Sequence, residues 1–131
     1  MSEQPEHIVN GKGYTLYKQN GIIHAIYTKD VVIDIDVMRE AIEVRIALAE
    51  GIPCPIYIDA TGVKYWTLGA RKYGSTERGL TDATAYGILI NSAIVKIIAN
   101  WGIKFYPTKG APQRIFNDKD KALQWLQQFK R

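Results

Sequence analysis

The chain has 131 residues, of which 47% are apolar and 23% are charged. These values are typical of one soluble globular domain, and they exclude a disordered chain and most multi-domain enzymes. The formal net charge of +4 is spread along the sequence and is too diffuse to indicate a nucleic-acid partner.

The side chains that commonly bind metals are scarce. Cys54 is the only cysteine, and His7 and His24 are the only histidines. One thiol cannot form an internal disulfide, and so few ligands argue against a zinc site, so we expect no metal and no cofactor. The polar N-terminus lacks the layout of a secretory signal, and the apolar stretch at 86–101 is too short and too interrupted to span a bilayer. These features predict a cytoplasmic protein without a transmembrane segment.

The beginning of the chain predicts a tail followed by a β-hairpin. Residues 1–12 are expected to be a flexible tail, and residues 13–131 to form a single domain. Residues 14–18 and 21–28 are rich in strand-forming side chains and flank an Asn20-Gly21 pair. An Asn-Gly pair between two such runs is a strong signal for a tight hairpin turn.

A helix is predicted next, from a cap at Asp34 or Asp36 to about Glu50, with Gly51 as its stop. Arg45 is unusual in this helix, because its position on the helical wheel lies inside the apolar arc. Two arrangements would accommodate it. Either its charge meets an anionic partner or ligand, or its stem lies along apolar surface while the guanidinium reaches water. We expect the second arrangement.

Strands and helices then alternate, a pattern typical of a mixed sheet with parallel βαβ units. Short apolar runs predict the strands, and cap residues before apolar periodicity predict the helices. The predicted strands are residues 55–59, 86–90 and 103–106, with an edge strand at 114–116. The predicted helices are residues 68–73, capped by Thr67, residues 93–100 and a last helix capped by Asn117, with one further helical turn at 81–85.

Three strings in this order resemble the STAS or SpoIIAA-like superfamily, which includes bacterial anti-sigma-factor antagonists and the cytoplasmic domains of sulfate transporters. The strings are GIIHAIYT at 21–28, IYIDATGVKYWT at 56–67 and RIFNDKDKALQWL at 114–126. The chain looks most similar to an uncharacterised bacterial branch of that superfamily. The resemblance implies an α/β fold, with a mixed four- to five-stranded sheet opened by a β-hairpin and about four helices mainly on one face. It also implies a role in binding partner proteins or small ligands.

The anti-sigma antagonists of this superfamily carry a phosphorylatable serine at the start of the helix after the matched strand. The corresponding residues 66–70 read WTLGA, so the serine motif is missing and Thr67 is the only hydroxyl near that place. Thr67 is the candidate phosphorylation site, because a phosphate at a helix start meets unpaired N–H groups. The alternative, which we favour, is that Thr67 is a plain helix cap.

Polar residues gather where the predicted parallel strands end, and ligands collect at that edge in open α/β sheets. Asp59 and Thr61 either contribute to such a site or bond to the loop backbone as a local turn, the arrangement that we favour. The candidate residues for binding a ligand or partner are Asp59, Thr61, Thr67, Arg71, Asn91 and Ser92.

A run of basic residues follows the same strand. It offers a site for a phosphate, an anionic lipid or a nucleic acid, or it is a solvated face beside core aromatics. We favour the solvated face. The cations are Lys64, Arg71, Lys72 and Arg78, and the aromatics between them are Tyr65, Trp66 and Tyr73.

The predicted helix 93–100 carries one charge, Lys96, and is apolar nearly all round. Such a helix needs cover beyond one sheet face, so we expect a homodimer through it, unless neighbouring elements of the same chain cover it. The candidate interface residues are Ile94, Ile97, Ile98 and Trp101.

Together these observations favour a non-enzymatic regulatory or protein-interaction module, with a second copy or another regulatory protein as its partner. The alternative is a protein that binds a small apolar or anionic ligand, lipid included. An enzyme would need a concave site near Asp59, Arg45 or Arg71. We expect Cys54, between two prolines beside an apolar strand, to be a packed and inert thiol.

Overall fold

The computed structural model describes residues 5–91 and 111–130. Six described strands lie side by side in one sheet, in the order β1 (Glu6–Gly11), β2 (Tyr14–Gln19), β3 (Ile22–Tyr27), β5 (Cys54–Asp59), β7 (Ala83–Leu89) and β8 (Gln113–Phe116). Two more, β4 (Val31–Ile33) and β6 (Val63–Trp66), form a separate parallel sheet. The helices are α1 (Ile35–Ala49), α2 (Leu68–Gly74), α3 (Glu77–Leu80) and α4 (Lys119–Leu126), and a 3-10 turn, Gln127–Phe129, follows α4.

The predicted hairpin is confirmed as β2 and β3. Asn20 and Gly21 both have positive φ angles, 53° and 75°, as a type I′ turn requires of its two central residues. This two-residue turn fixes the register, so that Tyr17 lies opposite His24. β3, β5, β7 and β8 then run parallel to one another.

Alternating side chains of the sheet face two separate cores, because successive strand residues point to opposite faces. Ile23 and Ile56 belong to the larger core, which includes residues of α1 and α2. Ile22 and Tyr57 belong to the smaller core, which includes residues of α4. Helices α1, α2 and α3 thus share one face, as expected, and α4 covers the other.

The first helix begins at the predicted cap. The Asp34 carboxylate accepts a hydrogen bond from the Val37 amide at 2.9 Å, so the first of the two candidate caps is the one used. The helix ends where Glu50 and Gly51 adopt left-handed φ angles of 53° and 78°, which an α-helix cannot continue through.

The N-terminal tail differs from the prediction. Residues 6–11, expected to be flexible, form β1, which pairs antiparallel with β2. Ile8 and Val9 are the only strand-forming side chains in this segment, so its composition concealed the strand. With β1 included, the sheet has six described strands rather than four or five.

Two predictions near helices are also wrong. Asp118, and not Asn117, caps α4, since its carboxylate accepts a hydrogen bond from the Lys121 amide at 3.0 Å. The helical turn expected at 81–85 is absent from the described structure, because α3 ends at Leu80 and β7 begins at Ala83.

Several predictions fall outside the described residues. These are the helix at 93–100, the strand at 103–106, and the candidate residues Ser92, Ile94, Ile97, Ile98 and Trp101. In the described part of the sheet, β8 pairs directly with β7. None of the described helices has the length and apolar content needed to cross a bilayer.

Candidate functional site

A hydrogen-bonded turn occupies the carboxyl ends of the central parallel strands. Oδ1 of Asp59 accepts hydrogen bonds from the backbone N of Thr61 at 3.0 Å and from its Oγ1 at 2.6 Å. Nδ2 of Asn91 donates to the Thr61 carbonyl at 3.0 Å. The structure therefore brings Asp59, Thr61 and Asn91 together, and the local-turn interpretation is confirmed. A ligand at this edge stays a prediction.

Thr67 is a helix cap, as favoured from the sequence. Its Oγ1 accepts a hydrogen bond from the Ala70 amide at 3.1 Å. Its own amide donates to the Ile33 carbonyl at 3.0 Å, which fastens the start of α2 to β4. Phosphorylation of Thr67 stays a prediction.

Arg71 lies one turn further along α2 and is half-buried. Its Nε is buried without a hydrogen-bond partner among the described residues. Neither Thr67 nor Arg71 has a described hydrogen bond to the Asp59 turn. The predicted group thus divides into a turn at the sheet edge and a helix packed against α1.

Arg45 corrects the sequence interpretation. We expected its guanidinium to reach water, but the residue is only 4% exposed. Nη1 donates to the Thr81 carbonyl at 2.7 Å and Nη2 to the Gly79 carbonyl at 2.8 Å. The Tyr86 hydroxyl donates to the same Gly79 carbonyl at 2.7 Å. Carbonyls at the end of α3 carry partial negative charge, so they compensate the buried cation.

The basic run is distributed over several environments. Lys64 on β6 and Lys72 on α2 are exposed. Arg78 forms an ion pair with Glu43 of α1, in which Nε lies 2.8 Å from Oε2. These hydrogen bonds lower the pKa of Glu43 and raise the pKa of Arg78. Arg78 is therefore engaged within the chain, whereas the two lysines face solvent.

The sequence interpretation missed a buried aromatic row on the α4 face of the sheet. The His24 imidazole stacks on the Tyr17 ring, with centroids 4.7 Å apart, and meets the Tyr57 ring edge-on at 5.3 Å. Nδ1 of His24 and the Tyr57 hydroxyl are both buried without a hydrogen-bond partner among the described residues. The Asn-Gly turn could have predicted this contact, because Tyr17 and His24 are equally distant from the turn along the chain and therefore lie opposite each other in the hairpin.

Burial controls the titration of this row. It lowers the pKa of His24 to about 4, and the positive charge of Lys119 acts in the same direction. Burial also raises the pKa of Tyr57, with the Asp59 carboxylate as a smaller cause. At neutral pH both side chains are therefore uncharged.

Cys54 matches its prediction as a packed thiol. It is buried at the start of β5, and burial raises its pKa. Within residues 5–91 and 111–130, no group of three or more His, Cys, Asp and Glu side chains is arranged to hold a metal ion.

The small β4–β6 sheet carries an exposed apolar surface, which we call the β4–β6 patch and define as Val32, Tyr65 and Leu68. Val32 pairs with Tyr65 in the register of the two strands, and Leu68 begins the helix that follows β6. The three residues are 46%, 38% and 49% exposed. Their neighbours Ile33 and Val63 are buried in the larger core, so the sheet has one inner and one outer face.

A cleft of about 620 Å³ lies between β8 and α4. We call it the α4–β8 cleft and define it by six of its lining residues, which combine aromatic rings, cations and amides. They are Arg114, Phe116, Asn117, Lys121, Gln124 and Trp125. The sequence interpretation did not single out this site.

Comparison with known proteins identifies the fold. No curated protein matches the chain. A solved structure of an uncharacterised protein of the DUF3478 family from Shewanella loihica PV-4, described as having a SpoIIAA-like fold, is similar with a TM-score of 0.53. The two are 16% identical, and the match covers 96% of this chain and 95% of that one.

This likeness confirms the SpoIIAA-like fold expected from the sequence. At that identity it supports the fold alone, since one fold hosts many functions. Residues 16–130 match the family DUF7793, a domain of unknown function, and the chain therefore belongs to that family.

Proposed function

We propose that the domain is a non-enzymatic protein-interaction module that contacts its partner through the β4–β6 patch. The observation that carries this proposal is the exposure of three large apolar side chains, two paired on the outer face of a two-stranded sheet and one at the start of the helix that follows it. Single exposed apolar residues are ordinary, but a group of them on one face is typical of an interaction surface.

The charges beside the patch suggest what the partner offers. Lys64 is exposed on β6 next to Tyr65, and Lys72 is exposed on α2, which begins at Leu68. A protein surface with apolar side chains at its centre and carboxylates at its rim complements this arrangement. The apolar contacts supply affinity, and the lysines orient the partner.

The reactive side chains outside the patch support a non-enzymatic role. The Asp59 carboxylate holds a turn through two hydrogen bonds to Thr61. The Cys54 thiol is buried with a raised pKa, so little of it is thiolate at neutral pH. The Arg45 guanidinium is buried against backbone carbonyls. Each group already has a structural task.

Regulation at Thr67 is a second part of the proposal. Thr67 stands between Tyr65 and Leu68 in the chain, so a phosphate on its Oγ1 would add up to about two negative charges at the border of the patch. That charge would repel the carboxylates expected on the partner. A Thr67→Glu variant should therefore bind the partner more weakly than a Thr67→Ser variant, which keeps the cap.

Photo-crosslinking in cells that naturally produce this chain tests the proposal. A benzophenone amino acid replaces Leu68 in one variant and Ile52 in the control, because Ile52 is similarly exposed, at 53%, but lies beyond α1. We expect a discrete heavier product from position 68 alone. Adding Lys64→Glu and Lys72→Glu should remove it.

Equal products from the two positions, or no product from position 68, would overturn the patch as the interaction surface. A product at twice the 14.8 kDa mass of the chain would identify the partner as a second copy.

The homodimer expected through helix 93–100 is a separate prediction, checked by light scattering of the purified chain. A strict monomer at high concentration would contradict the dimer. An Ile94→Glu or Ile98→Glu variant that remains folded and dimeric would contradict that helix as its interface.

A further inference from the structure

The α4–β8 cleft has two walls of different chemistry. Arg114 and Phe116 are two residues apart on β8, so their side chains share the strand face turned toward α4. Lys121, Gln124 and Trp125 are spaced i, i+3, i+4 on α4, so they share one helix face. The strand and the helix therefore present a cation and an aromatic ring each.

The aromatic part of the cleft is held by ring contacts. The Trp125 ring lies 5.7 Å from the Phe116 ring at a tilt of 52°, and 4.8 Å from the Phe129 ring at 61°. Trp125 is half-buried, so one part of its indole packs in the core and another part remains accessible. A tryptophan fixed on two sides loses little conformational freedom when another ring packs against it.

The charged part of the cleft is positive. The Arg114 guanidinium lies 5.2 Å above the Phe116 ring, and Lys121 faces it from α4. Both side chains are exposed, and none of the described residues that line the cleft is acidic. The ion pair found in the described part of the chain joins Arg78 to Glu43, so it leaves both cleft cations available.

We propose that the α4–β8 cleft binds a small aromatic carboxylate. The ring of the ligand packs against Trp125 beside Phe116, and its carboxylate lies between Arg114 and Lys121. Asn117 and Gln124 offer amide N–H groups as further donors to the same oxygens. The volume of about 620 Å³ falls within the range of sites for small organic molecules.

The features of the cleft select this ligand class over its neighbours. A neutral aromatic amide would keep the ring contacts but lose the attraction to two cations. A simple carboxylate such as acetate would keep the charge but lose the apolar contact with Trp125. Both parts of the ligand are therefore needed for binding.

A ligand in the α4–β8 cleft corresponds to the small-ligand function that the sequence left open, and its binding is independent of the β4–β6 patch. The patch adjoins the core that contains α1 and α2, whereas α4 covers the opposite face of the sheet. An experiment can therefore contradict the role proposed for one site without affecting the role proposed for the other.

Titration of the full chain tests the proposal, with three probes followed by calorimetry and by two-dimensional NMR of the backbone amides and the Trp125 indole N–H. The probes are naphthalene-1-acetate, its neutral amide and acetate. We expect naphthalene-1-acetate to shift the Lys121, Gln124 and Trp125 signals and to bind about tenfold more tightly than the amide, the difference that one charge contact of moderate strength produces. Acetate should produce no saturable shift.

Two double variants distinguish binding in the cleft from nonspecific attraction of anions to surface cations. Arg114→Gln combined with Lys121→Gln removes two exposed cations and should weaken naphthalene-1-acetate binding by about tenfold or more. The control, Lys12→Gln with Lys29→Gln, removes two exposed cations elsewhere and should keep the affinity. Equal binding of acid and amide, equal loss in both double variants, or shifts that avoid the cleft signals would overturn the proposal.

Discussion

Arg45 shows how one buried charge can be held without a carboxylate. Its two Nη atoms each donate to a backbone carbonyl, Nη2 to Gly79 within α3 and Nη1 to Thr81 just after it, and the residue is buried. The contact joins α1 to residues more than thirty positions later in the chain. Sequence periodicity placed Arg45 on the apolar side of the helix, but it could not indicate which carbonyls would meet the guanidinium.

We predict that Arg45→Met destabilises the fold by about 1–3 kcal/mol, the cost of leaving a buried hydrogen-bonding group without its partner. Methionine keeps the apolar stem, and Gly79 keeps its hydrogen bond from the Tyr86 hydroxyl, so the loss is concentrated at the Thr81 carbonyl. Urea unfolding measures it. Arg39→Met on the same helix is the control, because that exposed guanidinium lies 5.4 Å over the Tyr73 ring and contributes no more than about 1 kcal/mol. Equal losses in both variants would contradict the role of Arg45.

His24 makes the stability of the fold depend on pH. Its folded pKa of about 4 lies below the unfolded value of 6.5. The unfolded chain therefore takes up the proton first as the pH falls, and stability is lost between pH 6.5 and pH 4. Removing this titration should flatten that part of the profile.

The prediction is that His24→Phe gains about 2–3 kcal/mol relative to the unchanged chain when the pH is lowered from 7 to 4.5, since one pKa unit corresponds to about 1.4 kcal/mol. Phenylalanine preserves the stacking on Tyr17 and removes the unpartnered Nδ1. Urea unfolding of both proteins at the two pH values measures this change. The contribution of the carboxylates is common to both proteins and cancels in the difference between their free energies of unfolding. Parallel pH profiles of the two proteins would show that His24 does not titrate in this way, and His7→Gln controls for the removal of an exposed histidine.

At the scale of the elements, Gly87 determines how closely α4 packs on the sheet. A Cβ at this position would lie 3.0 Å from Cδ1 and 3.2 Å from Cγ of Leu126, which is itself fully buried. The glycine in the middle of β7 therefore makes room for the helix. A methyl group there requires the Leu126 side chain or α4 to shift by a few tenths of an ångström.

Gly87→Ala should destabilise the fold by about 1–3 kcal/mol through overpacking. Leu126→Ala alone should cost about 2–5 kcal/mol through the cavity it leaves. The double variant should cost less than the sum of the two, because the shorter side chain at 126 accommodates the new methyl group. Denaturant unfolding of the four proteins measures this coupling, and simple additivity would contradict it. Gly69→Ala in α2 is the control, because the new Cβ would meet its neighbours, Ile35 at 3.7 Å and Thr67 Oγ1 at 4.0 Å, at ordinary contact distances.

The sequence predicted the elements whose signals are local. The Asn20-Gly21 turn, the Asp34 cap and the apolar run that became β5 are each set by a few neighbouring residues. The β4–β6 sheet was missed, because its two short strands lie about thirty residues apart in the chain. Their pairing depends on the tertiary arrangement of the elements between them and not on local sequence. The cap of α4 was missed by one residue, since Asn117 and Asp118 are both good caps.

The candidate sites divide in the same way. Thr67 as a cap and Asp59 with Thr61 as a turn depend on residues two or three positions apart, so the sequence was sufficient. The α4–β8 cleft depends on which strand ends up beside which helix. The last helix, which contains Trp125, was predicted, but its sequence alone does not show that Arg114 lies across from Trp125.

At the scale of the whole molecule, β1 protects one edge of the sheet. It pairs with β2 along the edge that would otherwise expose unpaired N–H and C=O groups. The register of β1 shifts between Glu6 and Val9, and His7 there has a φ of 51°. Such an irregularity bends a strand and makes it a poor template for another chain. The segment that was expected to be a tail therefore forms the edge strand of the sheet, and its irregularity limits pairing with another chain.

Deleting residues 2–11 should therefore expose β2 and promote self-association. About half of the β2 amides, those directed to β1, lose their partners, because the amides of a strand alternate between its two neighbours. Hydrogen exchange followed by NMR should show faster exchange at alternate positions of Tyr14–Gln19, and light scattering should show a concentration-dependent rise in mass. A control that lacks only residues 2–4 keeps β1 and should behave as the full chain. Unchanged exchange in the longer deletion would mean that residues 6–11 do not pair with β2 in solution.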